Sequence, residues 1–162
     1  MRFHLPGPED TVRLGRALAK ALLQIDGLRV VLLAGTLGSG KTTMTRGLVA
    51  ELPGGGMAEV SSPSFNICNL YPTTPPTAHF DLYRLEGNEP DDALLDLIDE
   101  GESIILIEWA EHLPEYALPP VWLRLAWHAA GEGRIVEAHG NGAPALVALD
   151  MVAAGVPDLV QP

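Results

Sequence analysis

The sequence predicts an α/β fold in three layers, with a mainly parallel central sheet and a C-terminal antiparallel hairpin. Residues 30–34 form a short apolar, β-branched run that indicates a buried strand, and residues 104–107 form a second such run. A glycine-rich turn at 35–42 joins the first run to a proline-free stretch at 43–52 that is typical of a helix. Two further strand-like runs flank a glycine-containing turn at 129–133, which predicts the hairpin.

The remaining elements follow from hydrophobic periodicity and from the positions of glycine and proline. In chain order, we expect an edge strand at 2–5, a helix at 9–25, a strand at 65–71, a half-buried strand at 78–84, an acidic helix at 90–100, hairpin strands at 121–127 and 135–139, and an apolar helix at 145–154. Residues 72–77 are expected to form a turn or a mobile loop. We expect one domain over residues 1–156, followed by a loose tail at 157–162.

Composition narrows the class of protein. The chain has 162 residues, of which 47% are hydrophobic and 19% charged, as in a globular domain. No apolar run approaches the roughly 20 residues of a membrane span, and the single cysteine, Cys68, fits a reducing, cytoplasmic compartment. Net charge is −11 and the ten basic residues are dispersed, so we expect any nucleic acid to be held by a partner.

The turn at 35–42 fits the phosphate-binding motif G-x-x-x-x-G-K-[ST]. Glycines such as Gly38 and Gly40 let backbone N–H groups point into one concavity, to which the helix start adds its positive dipole end. Lys41 would contact the β- and γ-phosphates, and the Thr42 hydroxyl would bind Mg²⁺. The alternative is an ordinary glycine-rich turn, but only two lysines are present and a chance match is rare. The motif therefore predicts a P-loop NTPase-type fold that binds a nucleotide and Mg²⁺.

Two carboxylates are candidates for the rest of the site. Glu108 follows the buried run at 104–107, where P-loop proteins place the acid that serves Mg²⁺, although it could be a mere strand-end carboxylate. Asp81 lies in an alternating run, where a carboxylate is costly unless it is solvated or partnered. It could stand near the metal or the attacking water, face solvent, or form a salt bridge with Arg84.

Three further residues have weaker signals. The loop at 62–65, which contains Ser64, could be a switch loop in which a hydroxyl senses the γ-phosphate. Trp109, beside Glu108, could equally be a core residue. His79 shares the alternating run with Asp81, and a histidine in that setting is more often a structural hydrogen-bonding group than a base.

Together these motifs resemble one family. G-x-L-G-S-G-K-T-T at 35–43, S-P-S-F at 62–65, H-F-D-L-Y-R at 79–84 and I-I-L-I-E-W at 104–109 occur in the order typical of TsaE, and the resemblance covers roughly residues 11–134. The family is the P-loop ATPase of bacterial tRNA threonylcarbamoyladenosine biosynthesis. The resemblance implies a cytoplasmic subunit that hydrolyses ATP to reset a TsaD–TsaB complex, which modifies the adenosine 3′ of the anticodon. Contact with tRNA would be indirect, and no membrane is involved.

The resemblance also implies roles for particular residues. The catalytic set is Lys41, Asp81 and Glu108. The nucleotide-binding set is Thr11, Gly38, Ser39, Gly40, Lys41, Thr42, Thr43 and Arg134. Mg²⁺ would be served by Thr42 and Glu108, and the switch or partner surface would include Ser64 and Trp109. The sequence departs from the family at Thr36, where an acid is common, and at Ser64, where threonine is usual but a hydroxyl is kept.

Other function classes stay open at this point. A small-molecule kinase would need an arginine-dense lid, and a GTPase would need an N-K-x-D motif; neither occurs in the sequence. A nucleotide-gated binding module with negligible turnover is compatible with the same motifs. No internal arginine finger is obvious, so we expect slow ATP hydrolysis by the chain alone, with the attacking water oriented by Asp81 or Glu108.

Overall fold

A computed structural model describes residues 1–85 and 89–161. Within these residues, eight strands form one sheet and four α-helices pack against it. The strands are β1 (Arg2–Leu5), β2 (Val30–Ala34), β3 (Cys68–Tyr71), β4 (Thr77–Asp81), β5 (Ile104–Glu108), β6 (Trp122–Ala129), β7 (Arg134–Asn141) and β8 (Val160–Gln161). The helices are α1 (Pro8–Gln24), α2 (Lys41–Glu51), α3 (Asp92–Glu100) and α4 (Ala143–Gly155).

The sheet has a parallel centre and antiparallel flanks. Its strand order is β3-β4-β5-β2-β6-β7-β1-β8. Strands β4, β5, β2 and β6 pair in parallel, whereas β3, β7, β1 and β8 join antiparallel. The predicted parallel centre and the β6–β7 hairpin are therefore confirmed.

Helices cover both faces of the sheet, which gives the three predicted layers. Alternate residues of β2 enter different cores: Val31 and Leu33 join the cluster that includes α1, α2 and α4, whereas Val30 and Leu32 join the cluster that includes α3. A strand covered on both faces needs apolar residues at every position, so β2 reads as one continuous apolar run.

The strand predicted at 78–84 differs from expectation. It ends at Asp81, and all five residues of β4 are buried. Because β4 pairs with β3 and β5 and both its faces are covered, His79 does not face solvent but points into the protein, where it finds polar partners. The prediction of a half-buried strand is therefore wrong, and Asp81 stands at a strand end rather than in mid-strand.

Two strand predictions at the edges also need correction. The first strand, β1, lies between β7 and β8 and is not an edge strand. The strand predicted at 65–71 begins only at Cys68, because Ile67 has a left-handed backbone (φ 66°) that interrupts the extended conformation.

The tail predicted to be loose is ordered over residues 157–161. A 3₁₀ turn at Pro157–Leu159 leads into β8, which pairs with β1, and Leu159 is buried. The guanidinium of Arg13 donates two hydrogen bonds to the Asp158 carboxylate, at 2.9 and 2.8 Å. These partners lie at the other end of the chain, so local sequence gave no sign of them. Pro162 lies outside the described residues.

None of the helices within residues 1–85 and 89–161 is long and apolar enough to cross a membrane.

Helices α1 and α2 cross at two glycines. A Cβ on Gly15 would collide with the Met44 carbonyl, and a Cβ on Gly47 would collide with the Val12 carbonyl. The close approach of these backbones therefore depends on glycine at both positions. This close packing of α1 against α2 matters for the site because α2 begins with Lys41 and Thr42.

We expect Gly47→Ala to destabilise the fold by about 2 kcal/mol, because the added methyl group meets rigid backbone rather than a movable side chain. Urea denaturation measures this change. Gly56→Ala is the matched control: apart from its neighbours in the chain, none of the described residues has an atom within 4 Å of its Cβ position, and the expected change is within about 0.5 kcal/mol. Equal stability of both variants would contradict the predicted collision.

Candidate functional site

The turn at 35–42, which carries the phosphate-binding motif and is called the phosphate-binding loop after it, joins β2 to α2 and depends on glycine. Gly35, Gly38 and Gly40 all have positive φ (147°, 72° and 121°), which other residues adopt only with strain. A Cβ on Gly35 would also lie 3.0 Å from the Ser39 hydroxyl and from Trp127 Cβ. The helix begins at Lys41, two residues before the predicted start at 43, so its positive end faces the loop directly.

Lys41 is buried inside the loop. Its ammonium donates to the carbonyl oxygens of Gly35 (2.7 Å) and Thr36 (3.1 Å), and lies 4.6 Å from the centre of the Trp109 ring. Burial lowers the pKa of Lys41, and the carboxylates of Glu108 and Asp81 oppose this shift. A buried ammonium with few strong partners is well suited to contact a phosphate.

Glu108 lies directly beside the start of α2. Glu108 is the last residue of β5. Because β5 pairs in parallel with β2, the carboxyl ends of both strands lie at the same edge of the sheet. Glu108 is buried, and its Oε1 accepts hydrogen bonds from Thr42 Oγ1 (2.9 Å) and His79 Nε2 (3.0 Å). Its Oε2 lies 4.0 Å from Lys41 Nζ.

The Thr42–Glu108 pair fits Mg²⁺ of the kind that accompanies a nucleotide. Both groups offer oxygen, the ligand that Mg²⁺ prefers, and Mg²⁺ bound with phosphates commonly uses one or two protein side chains plus water. Among the described residues, no cluster of three or more His, Cys, Asp or Glu side chains is arranged for a metal ion. The Thr42 hydroxyl and the Glu108 carboxylate are adjacent oxygen groups that could hold Mg²⁺ here.

Asp81 ends β4, next to Glu108 on β5. Its Oδ1 accepts from the Tyr83 backbone N–H (2.9 Å), and its Oδ2 accepts from Ser62 Oγ (3.0 Å). The alternative ion pair with Arg84 is not found among the ion pairs of the described residues. Instead, the Arg84 guanidinium lies 5.2 Å from the centre of the Phe65 ring. Asp81 is thus held in place by the 62–65 loop and by its own chain.

The 62–65 loop reaches Asp81 through Ser62 and not through Ser64. Ser64 Oγ lies 2.6 Å from Ser62 Oγ and is therefore one hydroxyl further from the carboxylate. The sequence predicted a switch loop at 62–65 with one hydroxyl near the γ-phosphate, and the family resemblance pointed to Ser64, at the position where threonine is usual, rather than to Ser62. The run of hydroxyls at 61, 62 and 64 was the available signal.

Two cavities flank the phosphate-binding loop and share Gly38, Ser39, Gly40 and Thr43. The larger, of about 600 Å³, contains the residues already described and is lined also by Tyr83 and Arg84. We call it the acidic-side cavity; its lining includes Lys41, Thr42, Ser62, Ser64, Asp81, Glu108 and Trp109.

The smaller cavity, of about 210 Å³, lies on the other side of the loop. It is lined by Thr11 of α1 and by Arg134 at the start of β7, together with the turns around Gly7 and Gly133. Thr11 and Arg134 are far apart in the sequence, but the structure brings them together at one end of the loop. An elongated ligand could extend from this cavity, across the loop, into the acidic-side cavity.

Trp109 lines the acidic-side cavity and is only half-buried. Its backbone is left-handed (φ 58°), and its ring lies 4.9 Å from that of Tyr83. A bulky residue in this conformation is strained by about 1–3 kcal/mol, which is common at functional sites. This position favours the functional interpretation of Trp109 over a plain core residue.

Sequence reasoning missed other polar groups of the site. Tyr71 and His79 reach Glu108 as a chain of hydrogen bonds, and Arg84 adds a cation to the acidic-side cavity. Trp127 Nε1 is buried beside the loop and, like Ser39 Oγ of the predicted nucleotide-binding set, has no hydrogen-bond partner among the described residues. Of the groups that were missed, His79 and Arg84 lie in the H-F-D-L-Y-R motif, whereas Tyr71 and Trp127 lie in no motif.

The fold and this site define an α/β protein of the P-loop NTPase type. A family model described as "Threonylcarbamoyl adenosine biosynthesis protein TsaE" matches residues 5–136. The match spans most of the chain, which therefore belongs to the TsaE family.

Individual relatives agree with this family. A Streptomyces coelicolor protein named "tRNA threonylcarbamoyladenosine biosynthesis protein TsaE" is 45% identical to this chain over 103 residues. The aligned region covers 60% of this chain and 66% of that relative, which is just under two thirds of its length. A Bacillus subtilis protein of the same name is 35% identical over 133 residues, covering 82% of this chain and 80% of the relative. The crystal structure of Bacillus subtilis YdiB superposes with a TM-score of 0.73 and 27% identity, over 95% of this chain and 94% of that one.

Proposed function

We propose that this chain is a Mg²⁺-dependent, ATP-binding and ATP-hydrolysing subunit that supports a TsaD–TsaB complex in the threonylcarbamoyladenosine modification of tRNA. The observation that carries the ATPase part is the contact between Thr42 of the phosphate-binding loop and the Glu108 carboxylate. The tRNA-modification part rests on family membership and on the names of the relatives. Such a role implies a cytoplasmic location.

In this proposal the nucleotide lies along both cavities. Thr11 and Arg134 would contact its base and ribose end, and backbone N–H groups of residues 38–43 would bind the phosphates. Thr42 and Glu108 would hold Mg²⁺, which supplies positive charge to the β- and γ-phosphates.

Lys41 would change partners when a nucleotide binds. Its ammonium now donates to two backbone carbonyls, which are weaker acceptors than phosphate oxygens. Exchanging these carbonyls for the γ-phosphate places a positive charge where negative charge develops during phosphoryl transfer. Asp81 or Glu108 would orient the attacking water. Arg84 lines the same cavity, so the chain offers a second cation that the sequence alone had not revealed.

The rim of the acidic-side cavity suits a protein partner. Leu37, Phe65 and Tyr83 are 89%, 85% and 56% exposed, and all three line the cavity where the γ-phosphate would lie. A partner that covered this rim would bury apolar surface next to the hydrolysis site. We place the TsaD–TsaB contact here, with Ser64 and Trp109 in it, and with tRNA touched only through the partners.

The same rim favours a second candidate, a nucleotide-gated binding module with negligible turnover. In that case ATP would order the 62–65 loop, which Ser62 already ties to Asp81, and so control docking. Both candidates predict ATP binding; they differ in whether hydrolysis accompanies docking.

Equilibrium binding tests the shared part. We expect a fluorescent ATP analogue to bind the purified chain more tightly with Mg²⁺ than with EDTA, and excess GTP to compete poorly. Single-turnover hydrolysis of bound ATP, with TsaD–TsaB added, then separates the ATPase from the gated module. Absence of nucleotide binding under both conditions would contradict both candidates.

A further inference from the structure

Glu108 is held by a second buried side chain besides Thr42. His79 is fully buried on β4, and its Nε2 lies 3.0 Å from Glu108 Oε1. On the other edge of the ring, His79 Nδ1 lies 3.3 Å from the Tyr71 hydroxyl, which comes from β3. Three neighbouring strands thus contribute one group each to a single line of hydrogen bonds.

The chemistry of the groups fixes the direction of these hydrogen bonds. An ionised carboxylate only accepts, so His79 Nε2 carries a proton and donates it to Glu108. In the neutral ring, Nδ1 is then an acceptor, and the Tyr71 hydroxyl is positioned to donate to it. Burial raises the pKa of Tyr71, so its hydroxyl keeps the proton that this role requires.

We propose that His79 is a positioning residue for the Mg²⁺-binding carboxylate, and that Tyr71 fixes the orientation of its ring. This inference rests on the proposed function, because it assigns a partner to Glu108 as a metal ligand. Oε1 accepts from both Thr42 and His79. That double contact holds the carboxylate in one rotamer and therefore also fixes the direction of Oε2. The described residues provide no hydrogen bond to Oε2.

Tyr71 also connects this line to the loop that contacts Asp81. Its hydroxyl lies 3.4 Å from the Ser61 carbonyl oxygen, almost as close as His79 Nδ1. The hydroxyl has one proton for two acceptors, so a shift of the segment around Ser61, just before the 62–65 loop, changes how firmly Tyr71 holds the histidine. The position of that segment is thereby linked to the orientation of Glu108.

The test measures Mg²⁺ dependence rather than turnover. The affinity of the full chain for a fluorescent ATP analogue is titrated against Mg²⁺, and separately measured in EDTA. The Mg²⁺ half-point is the Mg²⁺ concentration that gives half of the Mg²⁺-induced increase in affinity. For His79→Leu we expect this half-point to rise by about tenfold or more, as for other partners of metal ligands. Its affinity in EDTA should stay within about twofold of native. His79→Gln places an amide donor near the Nε2 position and should restore most of the loss. Tyr71→Phe should raise the half-point by about threefold.

A matched control comes from the opposite end of the same strand. Thr77 is buried on β4 and shares a hydrogen bond of 2.8 Å with Thr73, away from Glu108. Thr77→Val loses a buried hydrogen bond of similar kind, so it should lower the melting temperature and leave the Mg²⁺ half-point unchanged.

The outcomes separate the positioning role from a structural one. Equal loss of affinity with and without Mg²⁺, or a His79→Gln variant no better than His79→Leu, would overturn the proposal. If His79→Leu does not fold, Tyr71→Phe decides, because it keeps the ring packing; a native half-point there overturns the proposal. A native chain that binds ATP with no dependence on Mg²⁺ would overturn the metal site itself, and the role of His79 with it.

Discussion

Lys41→Ala is expected to weaken ATP binding by about a hundredfold or more, because it removes the one ammonium enclosed by the phosphate-binding loop. The substitution leaves the loop backbone intact but deletes the group that would neutralise the β- and γ-phosphates. It also releases the carbonyls of Gly35 and Thr36 from their present donor. Titration of a fluorescent ATP analogue in Mg²⁺ measures the loss.

The chain supplies its own control for this experiment. Lys20, the other lysine, is exposed on α1 and lies 3.5 Å from Glu51. Lys20→Ala removes the same charge from the molecule but none from the site, so ATP affinity should stay within about twofold of native. A folded Lys41→Ala protein with native affinity would contradict the assignment of the loop.

Glu108→Ala is expected to reduce ATP hydrolysis by about a hundredfold while changing nucleotide affinity far less. The carboxylate contacts the Thr42 hydroxyl, so its loss removes one of the two protein groups proposed for Mg²⁺ and a candidate for orienting water. Binding rests mainly on the loop backbone and Lys41, which the substitution leaves in place. Single-turnover hydrolysis and equilibrium binding, measured on the same preparation, separate the two effects.

Glu111→Ala is the control for charge, since Glu111 is exposed a few residues further along the chain. It should leave both hydrolysis and affinity near native. Normal turnover by Glu108→Ala would show that the metal site is wrongly assigned, whatever the affinity.

The parts of the fold that local sequence specifies were predictable. The strand at 30–34, the glycine-rich turn and Glu108 at the end of a buried run all follow from neighbours in the chain. Parallel pairing of β2 with β5 then places Glu108 beside Thr42 without further information. This part of the site depends on a motif and one strand order, which P-loop proteins share.

Other parts depend on contacts between distant segments. The alternation of His79, Asp81 and Tyr83 is typical of a strand with one solvent-exposed face. In the structure His79 is instead buried, and its ring nitrogens contact Tyr71 and Glu108. The tail looked loose because its anchor, Arg13, lies in the first helix. Ser62 rather than Ser64 reaches Asp81 because of the loop's path, which no periodicity encodes.

The most direct test of the central claim is steady-state ATP hydrolysis by the purified chain, alone and with TsaD–TsaB, with GTP as competitor. We predict slow turnover alone and faster turnover with the complex, lost in Lys41→Ala and unaffected by GTP. Turnover unchanged by TsaD–TsaB, together with no binding to that complex, would contradict the proposed function.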